Sequence, residues 1–244
     1  MKSIIIIPSR MASTRFPGKP LAHINGIPMV QRVWQQAIKS ETGEVYVACS
    51  ENEVYDLICS LGGNAILTDP NLPSGTDRVY SAFQLIENSS EIDIIINLQG
   101  DMPLIESQHI RKVLEPLDHK YSIGTLATEL KENEFNNPNV TKVSVDLNNN
   151  YPGQAKEFFR IKDRIVDKIY HHVGIYSYTV DIIKKFVNLP KSKNELSLNL
   201  EQYRAMDANM SIGVSYIPNI PLSIDTKEDL ITAESIIREN YEKY

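Results

Sequence analysis

The chain has 244 residues, 42% of them hydrophobic and 23% charged, a balance that allows a buried core and excludes wholesale disorder. A formal net charge of −6 speaks against nucleic acid or an anionic membrane surface as the main partner, so neither is expected. Cys49 and Cys59 form no C-x-x-C pair, no secretory leader is recognisable, and no apolar run approaches the roughly 18 residues of a membrane span, so the expectation is a reduced, cytoplasmic protein without a disulfide framework or zinc site.

The run Ile4-Ile5-Ile6-Ile7, stopped by Pro8, reads as a short strand buried on both faces, the first of a parallel α/β sheet. Between Pro8 and Pro20 the loop has little apolar material but carries Arg10, Arg15 and Lys19 with the hydroxyls Ser13 and Thr14, which suits a polyanion at the carboxyl end of that strand. Neither common phosphate fingerprint is present, since Gly18-Lys19 precedes Pro20 and no G-x-G-x-x-G opens a helix. Asn25-Gly26 then predicts a tight turn and Pro28 the first turn of a helix with Met29, Val30, Val33, Trp34, Ala37 and Ile38 on one face. Residues 44–48 predict a second strand, and Ser50-x-x-Glu53 a capping box for a helix that stops at Gly62-Gly63. This alternation implies right-handed crossovers and a parallel sheet.

A third strand over 65–68 leads into a Pro- and Gly-containing loop and a helix from Thr76, where Asp77 favours the dipole and Arg78, on the wrong side of it, calls for an anionic partner. Residues 92–98 predict a buried strand ending in Gln99-Gly100-Asp101-Met102-Pro103, which puts a carboxylate on the strand tip where it can hold magnesium, a cation that takes hard oxygens. A helix over 106–117 and alternating strands over 121–129 and 140–146 mark a change from α/β to α+β, with no composition shift that marks a second domain. A ring-bearing strand from His171 precedes a helix capped by Thr179, and a strand over 212–217 precedes Ile224-Asp225-Thr226 and a last helix with Leu230, Ala233, Ile237 and Tyr241 inward.

Six of these segments, in order, resemble the 3-deoxy-manno-octulosonate (Kdo) cytidylyltransferase family. They are Arg10-x-x-Ser13-Thr14-Arg15-x-Pro17-Gly18-Lys19-Pro20-Leu21, Ser74-Gly75-Thr76-Asp77-Arg78, Gln99-Gly100-Asp101-x-Pro103, His172-x-Gly174-x-Tyr176, Leu200-Glu201-Gln202-Tyr203-Arg204 and Ile224-Asp225-Thr226. The resemblance implies an α/β, Rossmann-like nucleotide-diphospho-sugar transferase fold: a mixed, mostly parallel sheet flanked by helices, with a smaller antiparallel sugar-binding and dimerisation portion. It implies one domain over 1–244, in which 1–118 mainly binds nucleotide, 119–220 mainly binds sugar and dimerises, and 221–244 returns to the main body. The implied activity is a nucleotidyltransferase reaction in which CTP and the sugar acid Kdo give CMP-Kdo and diphosphate for lipopolysaccharide synthesis, in a homodimer that uses Mg2+.

The resemblance also distributes roles. Arg10, Lys19, Asp101 and Asp225 are the catalytic set, and Asp101 with Asp225 are the Mg2+ carboxylates. Pro8, Arg10, Ser13, Lys19, Ser74, Gly75, Arg78 and Asp101 would face the nucleotide, and Arg15, Gln99, Arg160, His172, Tyr176, Glu201 and Gln202 the sugar acid. The chain departs from the family pattern at Ser50, Leu72, Met102 and Leu198, and most at 157–162, where only Phe158 and Arg160 align. These departures leave two alternatives open: a cytidylyltransferase for another sugar acid, such as 8-amino-Kdo or a nonulosonate, and a non-catalytic nucleotide-binding paralogue.

Overall fold

In the computed structural model, which describes residues 1–12, 15–147, 151–162 and 168–239, the chain divides into two compact units. One comprises Met1–Ile110 with the segment from Pro221 onward, and the other Arg111–Ile220. The divisions fall after Ile110 and after Ile220. What changes there is the kind of sheet, not the composition, which is why composition shows no boundary.

In the first unit β1 (Ser3–Ser9) is central, with Ile4 to Ile7 at most 1% exposed, as a strand covered on both faces requires. The hairpin β2 (His23–Ile24) and β3 (Ile27–Pro28) turns at Asn25 and Gly26, whose φ of 48° and 79° are those of a tight two-residue turn. Pro28 therefore ends a strand and caps α1 (Met29–Lys39) from outside, rather than lying within its first turn. β4 (Glu44–Cys49) pairs parallel with β1, and α2 (Asn52–Ser60) follows. The expected capping box does not form. Glu51 remains extended as N-cap, its carboxylate accepting from the Met11 N–H at 3.1 Å, and Ser50 Oγ has no partner among the described residues. The helix stops where predicted: Gly62 takes a φ of 77° and Gly63 N–H reaches the Ile58 carbonyl at 3.0 Å.

β5 (Asn64–Leu67), α3 (Gly75–Phe83) and β6 (Ile94–Asn97) complete a parallel sheet in the order β5-β4-β1-β6. The predicted helix 106–117 is two, α4 (Ser107–Lys112) and α5 (Glu115–Asp118), because Pro116 has no N–H to continue the ladder. A terminal helix (Lys227–Glu239) seats Ala233 and Ile237 with Phe16, Ile24, Met29, Leu104 and Ile224, while Tyr241 lies outside the described residues.

The second unit holds β7 (Ile123–Glu129), β8 (Lys142–Val145), β9 (Gly153–Phe159), β10 (Ile169–Thr179) and β11 (Ile212–Tyr216), with α6 (Val180–Val187), α7 (Lys193–Leu198) and α8 (Gln202–Asp207). The β7–β10, β10–β8, β8–β9 and β9–β11 pairs are antiparallel and β11–β7 is parallel, so the five strands form a closed circuit. β9 has no counterpart among the predicted strands, since its inward positions begin with Gly153 and Ala155, too small to mark an apolar face. α7 and α8 are joined by a buried pair, with Arg204 Nη2 2.6 Å from Glu195 Oε1.

Candidate functional site

The polar end of the first unit is a cavity of about 370 Å³ beyond the carboxyl ends of β1 and β6. Arg10, Arg15, Lys19 and Arg78 line it against two carboxylates, Asp101 and Asp225, so its lining is cationic in a protein whose net charge is −6. Pro8, Ser74, Gly75 and Gln99 also face it, which brings together every described residue expected there. Ser13 lies outside the described residues.

Local structure puts each side chain in place. Gly18, with a φ of 73°, turns the chain into a 3-10 turn over Lys19–Leu21, and its N–H closes the loop on the Met11 carbonyl at 3.0 Å. Gly100 lets the 99–101 segment approach β1, for a Cβ there would lie 2.9 Å from the Pro8 carbonyl oxygen. The Ile224 N–H donates to the Asp101 carbonyl at 2.9 Å, tying the two aspartate-bearing segments together. Thr226 and Asp229 cap the terminal helix reciprocally, the Asp229 N–H donating to Thr226 Oγ1 at 3.2 Å, so the Asp225 side chain is not used as a cap.

Lys19 Nζ sits among three oxygens: Asp101 Oδ2 at 2.9 Å, the Ile224 carbonyl at 2.9 Å and Asp225 Oδ1 at 3.3 Å. Arg15 Nη2 reaches Asp225 Oδ2 at 3.0 Å. Ser74 caps α3, accepting from the Asp77 N–H at 3.2 Å and donating to its Oδ2 at 2.7 Å. Arg78, 2% exposed, donates to Thr68 Oγ1 and the Pro70 carbonyl, and burial lowers its pKa from the usual arginine value. Its partners are neutral oxygens where the sequence suggested an anion. Gln99 is oriented by its bond to Asn97 Oδ1 at 3.1 Å. Sequence reasoning missed Ser9, which lines the cavity with a buried Oγ that has no partner among the described residues. It lies within the first strand and its loop, where alternation alone could have assigned it a facing.

Among the described residues no group of three or more His, Cys, Asp or Glu is arranged to hold a metal. Two carboxylates and a carbonyl do converge on one cation, the Lys19 ammonium, and three hard oxygens around a cation are a partial donor set for Mg2+, which characteristically adds phosphate oxygens and water. The residues present fit that ion.

The remaining predicted residues belong to the second unit. β10 carries an irregularity between Val173 and Tyr176 in its pairing with β7, so Gly174 and Ile175 are extra to the register. Residues four apart on a regular strand are separated by about 13 Å, yet the His172 and Tyr176 rings lie 5.6 Å apart. The bulge makes the His-x-Gly-x-Tyr spacing into a contact. Thr125 Oγ1 serves the displaced backbone, 2.8 Å from the Ile175 carbonyl and 3.0 Å from His172 Nε2. A hydroxyl has one proton; if it goes to a carbonyl, His172 is the donor through Nε2–H.

Burial holds the His172 imidazole down to about 3, with His171 adding to the effect, and raises the Tyr176 phenol well above its ordinary value. Both rings are neutral hydrogen-bonding groups at physiological pH. Gln202 Nε2 donates to Tyr176 OH at 2.7 Å, while its Oε1 is buried without a partner among the described residues. Glu201, the N-cap of α8, lies 3.5 Å from Arg204 Nη2. Arg160 is turned to backbone, its Nη1 donating to the Pro138 carbonyl at 3.1 Å, and its own carbonyl accepts from the buried Lys142 ammonium at 2.6 Å. Lys142, which also donates to the Asn137 carbonyl at 2.7 Å, was not singled out by the sequence.

The cytidylyltransferase family profile matches residues 4–212. The chain is 42% identical over 242 residues to the 3-deoxy-manno-octulosonate cytidylyltransferase of Paramagnetospirillum magneticum, covering 96% of this chain and 97% of that one. It is 40% identical over 237 residues to the protein of the same name from Parvibaculum lavamentivorans, at 96% and 92% coverage. Among solved structures, CMP:2-keto-3-deoxy-manno-octonic acid synthetase complexed with CTP superimposes with a TM-score of 0.88 and 32% identity over 98% of this chain and all of the other.

Proposed function

Since this chain belongs to the cytidylyltransferase family, we propose that it joins CTP to 3-deoxy-manno-octulosonate, giving CMP-Kdo and diphosphate. The observation that supports this most directly is the 42% identity to a relative of that name, running over 96% of the chain and so through both units. In the reaction the anomeric hydroxyl of the sugar acid attacks the α-phosphorus in line, the P–O bond to diphosphate breaks, and the hydroxyl proton is lost.

Arg10 and Lys19 would take up the phosphates, the first as a fork and the second as a point charge. Ser74, Gly75 and Arg78 would face the nucleotide from the start of α3, where the dipole also favours an anion. Asp101 and Asp225 would hold Mg2+ through the oxygens now on Lys19. Such an ion, when bound, neutralises phosphate charge and lowers the cost of forming the attacking alkoxide. In the second unit neutral His172 and Tyr176, with Gln202, offer hydrogen bonds suited to sugar hydroxyls, and Arg160 is of the type that suits the sugar carboxylate. No covalent intermediate is needed, and the buried Cys49 thiol, pushed up to about 12 by burial, is not a nucleophile. The reading includes a homodimer in the cytoplasm, supported by the family resemblance and by two unpaired cysteines; no described helix is long and apolar enough to cross a membrane.

The test is diphosphate release from CTP and Mg2+ with a panel of sugar acids. Turnover with Kdo well above that with 8-amino-Kdo or sialic acid is expected. Strong turnover with sialic acid and none with Kdo would replace the substrate, and CTP binding without turnover on any sugar acid would remove the activity.

A further inference from the structure

The contacts around Lys19 go beyond those of a phosphate-binding lysine. An ammonium has three N–H donors, and three oxygens stand within reach of this one: Asp101 Oδ2 and the Ile224 carbonyl at 2.9 Å, and Asp225 Oδ1 at 3.3 Å. The other oxygen of Asp225 is held by Arg15 Nη2 at 3.0 Å. The Lys19 side chain is only 15% exposed, so this is a partly desolvated ion cluster rather than a screened surface pair. Both side chains that hold these carboxylates also line the cavity where a triphosphate would lie.

A divalent cation that is to use these oxygens meets two obstacles. The position among them is filled, and the filling group is itself positive. Simple hydration does not remove the ammonium, because water offers it no anionic partner to replace two carboxylates. A triphosphate does, for its oxygens carry the charge that Lys19 and Arg15 give up when they leave the aspartates.

We propose that Lys19 is the resident counter-ion of the Asp101–Asp225 pair and bars free divalent metal from it until nucleotide phosphates draw the ammonium away. The inference rests on the proposed role of the two aspartates as metal carboxylates. It makes metal entry depend on nucleotide entry, and Lys19 the residue that couples them. Arg15 takes the lesser part, holding a single oxygen of one carboxylate from a more exposed position.

The experiment measures Mn2+ binding to the full-length protein without nucleotide, by electron paramagnetic resonance of the free ion. Lys19→Met removes the charge and keeps an unbranched side chain one atom shorter. It is expected to bind Mn2+ roughly tenfold or more tightly than wild type, because a unit positive charge has left the site. Adding Asp101→Asn to Lys19→Met is expected to abolish that gain. Wild type binding Mn2+ as tightly as Lys19→Met overturns the proposal, and so does a gain that survives Asp101→Asn. If Lys19→Met does not fold, Lys19→Gln carries the same comparison. Turnover of wild type with CTP and Kdo is measured on the same preparation. Its absence overturns the functional reading, while the Mn2+ comparison still decides the role of Lys19.

Discussion

Burial holds the His172 imidazole near 3, whereas the same side chain in an unfolded chain titrates near 6.5. Above about 6.5 both states are neutral and the difference contributes nothing to the pH dependence. As pH falls below that value the unfolded chain takes up a proton that folded His172 refuses, so stability declines by about 1.4 kcal/mol per pH unit until about 3. Denaturant midpoints between pH 7 and 4 should show this slope, and His172→Gln should flatten it; an unchanged slope would mean that other groups set it. At Asp101 the expectation concerns rate. Asp101→Asn should keep the thermal midpoint within a few degrees and lower turnover by roughly 10²–10³-fold or more, and activity near wild type would take this carboxylate out of the chemistry. The identity of both residues was legible in the sequence. The neutrality of His172 was not, because it arises from burial, with the neighbouring His171 adding to it, and burial depends on how the strands pack.

At the scale of elements, close approach decides what the strands tolerate. Gly124 on β7 leaves no room for a side chain, since a Cβ would lie 2.3 Å from Ser177 Oγ and 2.4 Å from the Val113 carbonyl oxygen. Gly124→Ala should cost about 1–3 kcal/mol by overpacking, read as a lower denaturant midpoint with unchanged m-value. The parallel strands of the first unit were legible because β-branched runs buried on both faces announce themselves. The capping box at Ser50 was misread because Ser50 and Glu53 satisfy the pattern while the carboxylate of Glu51 is held by the loop after β1. β9 was unread because Gly153 and Ala155 bury little apolar surface, and the break at Pro116 was overlooked within an otherwise helical pattern.

For the molecule as a whole, net charge and local charge have opposite signs. A protein of formal charge −6 presents four cations and two carboxylates to its cavity, so nucleotide affinity depends on short-range attraction set against a repulsive background. Raising ionic strength screens surface charge over about 8–10 Å, and the KM for CTP should rise with added salt while kcat changes less. A KM that falls with salt would show that the global charge dominates. The pairing of Asp101 with Asp225 could be expected only from family resemblance, because nothing local in either segment points to the other.

Lys19 and Asp225 are 206 residues apart in sequence, and the entire second unit is encoded between Asp101 and Asp225. Vectorial synthesis on the ribosome therefore produces the basic cradle and the first aspartate long before the second. A chain stalled anywhere in 111–220 would carry Lys19 and Asp101 without Asp225, and also without the terminal helix and Ile224 that complete the core of the first unit. The first unit, and the cavity at its polar end, is thus complete only after the last segment of the chain has been made.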